Sequence, residues 1–131
     1  MLIKNTDWEG SYISPFFLIG KNENALSKSL AYCLANDRRL YFEFLKLLNL
    51  NIRNTKKHFN SVSIDVQKKD ESGVTDIEIK KENDYYIIIE SKVKKGKITK
   101  QREQYVTKLK KSRSNNKIMV FLTEEKDFKF T

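Results

Sequence analysis

The stretch from Val74 to Val93 constrains the fold of this chain most. "VTDIEIKK" alternates polar and apolar residues, "END" turns the chain, and "YYIIIESKV" follows. Alternation places Thr75, Ile77 and Ile79 on one face of the first strand, and Asp76 and Glu78 on the other. Consecutive isoleucines at 87, 88 and 89 put apolar side chains on both faces of the second strand. Such a strand belongs inside a sheet, not at its edge. It nevertheless ends in Glu90-Ser91-Lys92, with Glu90 and Lys92 on the face of Tyr86 and Ile88.

A turn centred on Asn83 sets the register and places Asp76 directly opposite Glu90. Opposed Cβ atoms lie about 4.5–5.5 Å apart, where two like charges repel unless a cation sits between them. Paired carboxylates suit a hard cation such as Mg²⁺ or Mn²⁺. Lys92 falls diagonally beside them, within reach of a water or phosphate on that cation. A plainer arrangement competes: Lys92 pairs with Asp76 in solvent. A one-residue slip would also send the two acids to opposite faces.

The rest of the chain supplies the other layers. "NENALSKSLAYCLAND" predicts a helix capped by Asn22, with Leu26, Leu30 and Leu34 in one stripe. A second helix, Asp37 to Leu48, is expected to pack Leu40, Phe44, Leu47 and Leu48. "NSVSIDVQ" alternates as a strand from about Asn60, a helix is expected over Ile98 to Ser112, and "KIMVFLT" reads as a last strand. Residues 1 to 20 read as an arm or a short strand. The order is α-β-β-β-α-β: a mixed α/β domain with a central four-stranded mixed sheet flanked by helices. Its 131 residues suit one domain, or the front part of a longer protein. Nothing in "EEKDFKFT" closes the sheet edge, so the sheet is small, the chain continues, or a partner covers it.

Charge points to the partner. The chain carries net charge +9 with 33% charged and 39% hydrophobic residues, a globular balance. The segment from Lys92 to Arg113 accounts for the whole excess, with Glu103 its one acid. A basic block fits a polyanion, nucleic acid above all, or is a solvated helix face in a lysine-rich protein. The lone Cys33 excludes a disulfide framework and, set among leucines, reads as a packed core thiol. "ISPFFLIG" is too short to span a bilayer and has no signal-peptide layout, so the chain reads as cytoplasmic. His58, the only histidine, reads as a surface or satisfied residue.

The helices add candidates. Ile98, Gln101, Tyr105 and Leu109 share one stripe of the late helix, which places two polar side chains inward. Lys100, Glu103, Lys108, Lys110 and Lys111 fall mostly on outer faces. Glu23 lies one turn before the leucine stripe of the first helix, where it either serves the helix N-terminus or points toward the sheet.

From Asn22 to Thr123 this pattern resembles the PD-(D/E)XK nuclease superfamily. The resemblance rests on Asp76, on Glu90-Ser91-Lys92 after "YYIII", on Glu23, and on Gln101-Arg102-Glu103-Gln104-Tyr105. The last matches the Gln-x-x-x-Tyr motif of the RecB-like branch. Thr75 stands where the family name implies proline. The resemblance implies a restriction-endonuclease-like core and metal-dependent hydrolysis of DNA, with RNA left open, in defence or repair. It implies Mg²⁺ or Mn²⁺ held by Asp76, Glu90, the Ser91 backbone carbonyl and Glu23, directly or through water. Lys92, Gln101 and Tyr105 would complete the catalytic set. Lys94, Lys95, Lys97 and Lys100 are expected to contact the nucleic-acid backbone. A homodimer or an added domain would serve a double-strand cut. A catalytically silent module that binds nucleic acid or protein is the alternative.

Overall fold

The computed structural model describes residues 3–5, 23–70, 73–92 and 98–123, with side chains over 27–69, 73–90, 103 and 105–122. Strand β1 is Ile3–Asn5, followed by helices α1 (Glu23–Asn36), α2 (Arg38–Leu47) and α3 (Lys56–Ser61). Strands β2 (Ser63–Asp70), β3 (Gly73–Lys81) and β4 (Tyr85–Lys92) come next, then helix α4 (Ile98–Lys111) and strand β5 (Asn116–Thr123). The sheet runs in the order β1-β2-β3-β4-β5. The β2-β3-β4 meander is antiparallel, whereas β5 joins β4, and β1 joins β2, in parallel. The four expected strands are thus present, with the N-terminal residues adding a short fifth. Among the described residues no helix is long and apolar enough to cross a membrane.

The expected hairpin register holds, with Ile77 opposite Ile89 and Lys81 opposite Tyr85. Asn83 adopts φ 62 in the turn, a conformation asparagine reaches more readily than most residues. The isoleucine run divides as a central strand requires. Ile87 and Ile89 join Ile64, Val66, Ile77 and Ile79 in the larger core, under α1, α2 and α3. Ile88 and Tyr86 pack on the other face with Tyr105 and Leu109 of α4. Each buried isoleucine contributes roughly 1.5–3 kcal/mol, so β4 is anchored from both sides.

Several expectations about which residues are buried need correction. Cys33 is exposed, not packed. Ala31, Leu34 and Ala35 face the sheet, and Cys33, two residues beyond Ala31, is turned by about 200° to the far side of the helix. In α2 the buried residues are Tyr41, Phe42 and Leu45, while Leu40 and Leu47 are 41% and 82% exposed. The aromatic pair offers more area to bury than the leucines, so it sets the helix rotation. Asp37 is the cap of this helix, not its first residue: its carboxylate accepts the Leu40 N–H at 3.0 Å.

Helix α3 was not foreseen. It begins after Thr55, whose hydroxyl accepts the His58 N–H at 3.1 Å, and it delays β2 to Ser63. It brings His58 to Tyr85: Nε2 lies 2.8 Å from the Tyr85 hydroxyl, which lies 2.6 Å from that of Tyr41. His58 is therefore a satisfied, half-buried residue, as its sequence context suggested. Burial first, then the Lys81 charge, lowers its pKa; Asp84 opposes them. Burial pushes the Tyr85 hydroxyl up to about 12. His58 and Tyr85 line an open cavity of about 420 Å³ with Asp84, Asn115 and Asn116. It sits at the Tyr85 end of β4, away from Glu90.

Candidate active site

Asp76 and Glu90 come together as the register requires. They are 8% and 4% exposed, and Glu90 Oε2 accepts the Asp76 backbone N–H at 3.4 Å. The β3-β4 ladder runs from Lys81–Tyr85 as far as Ile77–Ile89. At the next position the Glu90 side chain meets the Asp76 backbone. The carboxylate of Asp76 accepts a hydrogen bond from Gln67 Nε2 at 3.2 Å.

Beyond this pair the strands depart from plain alternation, and the cause lies in β2. Gln67 has φ 54, a left-handed conformation in mid-strand. A left-handed residue reverses the order in which side chains leave the sheet. Asp65 and Lys68, three apart and on opposite faces of a regular strand, accordingly form an ion pair at 3.7 Å. Lys68 pairs with Thr75, and Thr75 is turned as well. Its hydroxyl donates to Glu78 Oε2 at 2.5 Å. Thr75 thus leaves the face of Ile77 and Ile79 on which alternation had placed it.

Among the described residues Glu78 is the most enclosed acid, at 1% exposure. Besides Thr75, it accepts hydrogen bonds from the Tyr86 hydroxyl and from Lys108 Nζ, the latter at 2.7 Å. Burial alone would raise its pKa. The hydrogen bonds from Lys108, Thr75 and Tyr86, with the Lys108 charge, outweigh it and hold the carboxyl below its ordinary value. Lys80 lies 4.4 Å from the centre of the Tyr86 ring, a cation–π contact on the same cluster. Lys108 was expected on an outer face of α4, but its side chain is only 11% exposed. It stands three residues after Tyr105, one helical turn along the inward stripe. That spacing, and the shared face of Asp76 and Glu78, were the available signals for the Lys108–Glu78 pair. Nothing in the residue type announced Gln67.

Tyr105 is buried, as its stripe position implied, and its hydroxyl donates to the Val74 carbonyl at 3.3 Å. Burial first, then the Glu90 carboxylate, and then Asp76 and Glu78 push its pKa well up, so it remains protonated. One phenol from α4 thus overlooks all three acids.

The other expected site residues are placed by backbone only. Glu23 opens α1, Lys100 and Gln101 lie in the first turn of α4, and Ser91 and Lys92 close β4 beside Leu122 and Thr123. Their side chains lie outside the described residues, as do Lys94, Lys95 and Lys97 entirely. Farther along the basic segment, Lys110, Lys111 and Arg113 are exposed. Among the described residues no group of three or more His, Cys, Asp or Glu could hold a metal. Asp76 and Glu90 are two donors of the expected set. As buried carboxylates on neighbouring strands they offer the oxygen ligands that a hard divalent cation prefers.

The sequence profile of the PD-(D/E)XK nuclease superfamily matches residues 15–130. Comparison with curated proteins and with solved structures gave no match.

Proposed function

Since the chain belongs to the PD-(D/E)XK nuclease superfamily, we propose that it is a metal-dependent nuclease that hydrolyses phosphodiester bonds in DNA. Buried Asp76 and Glu90, joined where the Glu90 carboxylate accepts the Asp76 N–H just beyond the paired residues, carry this reading. Asp76, Glu90, the Ser91 carbonyl and Glu23 would hold Mg²⁺ or Mn²⁺. Such an ion, when bound, stabilises charge on the phosphate and acidifies a water.

The protein's own groups do the rest. Lys92 follows Glu90 by two residues and would orient the attacking water or neutralise charge developing on the phosphate. Tyr105, held protonated, keeps its O–H as a donor: it would steady the acidic cluster or a phosphate oxygen. Gln101 lies one turn earlier on α4 and would assist. Lys94, Lys95 and Lys97 precede that helix in sequence, and Lys100 lies in its first turn. There they would meet backbone phosphates and confer affinity without sequence preference. A RecB-like placement would rest on Gln101 and Tyr105.

Incubation with plasmid, linear DNA and RNA in Mg²⁺ or Mn²⁺ tests the proposal, beside EDTA and Lys92→Ala controls. DNA cleavage lost in both controls is the expected result. Binding without cleavage in either metal would instead assign the fold to a silent nucleic-acid-binding module.

A further inference from the structure

Three non-glycine residues among those described adopt positive φ: Asn49, Gln67 and Asn83. The two asparagines lie in turns, where this conformation is common for that residue. Gln67 does not. It sits inside an eight-residue strand, is 4% exposed and has no glycine-like freedom. A residue held this way costs stability and persists only where its surroundings over-determine it. The environment of Gln67 shows what the conformation achieves. In the β2-β3 register Gln67 stands opposite Asp76, between the pairs Val66–Ile77 and Lys68–Thr75. Its side-chain amide donates to Asp76 Oδ1 at 3.2 Å.

Resting on the nuclease reading above, we propose that Gln67 is a positioning residue for Asp76, its left-handed backbone aiming the side-chain amide so that the Asp76 carboxylate is fixed for a divalent metal. A neutral amide suits this task. It restrains one oxygen without the charge that a lysine or arginine would bring into competition with the metal. The same backbone reversal sends Thr75 to Glu78, so the residue before Asp76 is tied down as well. Asp76 is therefore held at its carboxylate by Gln67, at its N–H by Glu90 and through its neighbour by Glu78. Outer partners of this kind typically tune metal affinity or activity about 10- to 100-fold.

Gln67→Gly separates the two roles of the residue. Glycine accepts positive φ without cost but has no amide to donate. Gln67→Met keeps the length and removes the donor without adding a charge or an oxygen ligand. Three readouts are needed: thermal unfolding, calorimetric titration of the native chain and both variants with Mn²⁺, and the KM and kcat of DNA cleavage. The proposal expects Gln67→Gly to unfold cooperatively, relief of the left-handed strain offsetting part of the loss of a buried side chain. It expects the Mn²⁺ Kd to rise and kcat to fall, each about tenfold or more, while KM for DNA stays unchanged. Gln67→Met should lose as much, and it decides the matter should the glycine variant fail to fold. Native Mn²⁺ affinity and kcat in a folded variant would overturn the role of Gln67 and leave the nuclease reading intact. A native chain that binds no Mn²⁺ would overturn both.

Discussion

The contact between Lys108 and Glu78 is a ruler for how firmly α4 is fixed to the sheet, and Lys108→Met measures it. The Nζ–Oε2 distance is 2.7 Å, with side-chain exposures of 11% and 0%. Removing one partner of a buried ion pair costs about 3–5 kcal/mol, because the other charge is left in a dry site. The low end applies here, since Thr75 and Tyr86 still donate to Glu78. Unfolding entropy near 2.1 cal/mol/K per residue over 131 residues converts about 3 kcal/mol into a fall of roughly 11 °C in Tm. An exposed pair would be worth at most about 1 kcal/mol, or roughly 4 °C. Thermal and urea unfolding of Lys108→Met at neutral pH distinguishes the two. Glu78→Met combined with Lys108→Met should regain most of the loss, because no unpaired charge then remains. A single-variant shift below about 4 °C, or a double variant no better than the single, would refute the reasoning.

Asp76→Asn should abolish metal-dependent cleavage while leaving Tm unchanged or raised, because it relieves the repulsion with Glu90; retained cleavage would remove Asp76 from the ligand set. His58 titrates below its ordinary 6.5 in the folded state, so the folded protein binds fewer protons there than the unfolded chain. Its contribution is present above the unfolded pKa and is lost as pH falls toward the folded one. Between pH 7.5 and pH 5, native Tm should therefore fall more steeply than that of His58→Gln; parallel curves would contradict this. Cys33 should react stoichiometrically with a thiol reagent in the native protein, and protection until unfolding would show it to be buried after all.

Where local chemistry governed, the sequence was read correctly. A short turn at Asn83 and period-2 alternation determined the pairing of β3 with β4, hence the meeting of Asp76 and Glu90. Apolar residues on both faces determined that β4 is central. The helical stripe that placed Tyr105 inward needed only the 3.6-residue period. What failed were choices among nearly equivalent rotations and contacts. Leu40 and Leu47 lost the core to Tyr41 and Phe42, and Cys33 lay on the far side of its helix from the sheet. Lys108 reads as one lysine in a basic run, yet it is buried because α4 packs where Glu78 needs a counter-charge. The left-handed turn of Gln67 was beyond any propensity, for glutamine disfavours it. It is accompanied by the bond from its amide to the Asp76 carboxylate and by the Lys68–Thr75 pairing beyond it, contacts made across strands rather than within one. Sequence alone determined the order of the elements other than α3, and the β3-β4 register that brings two acids together, because turns and periodicity act between near neighbours. Tertiary structure decided what restrains those acids, because that depends on groups far apart in sequence finding hydrogen bonds in a space closed to water.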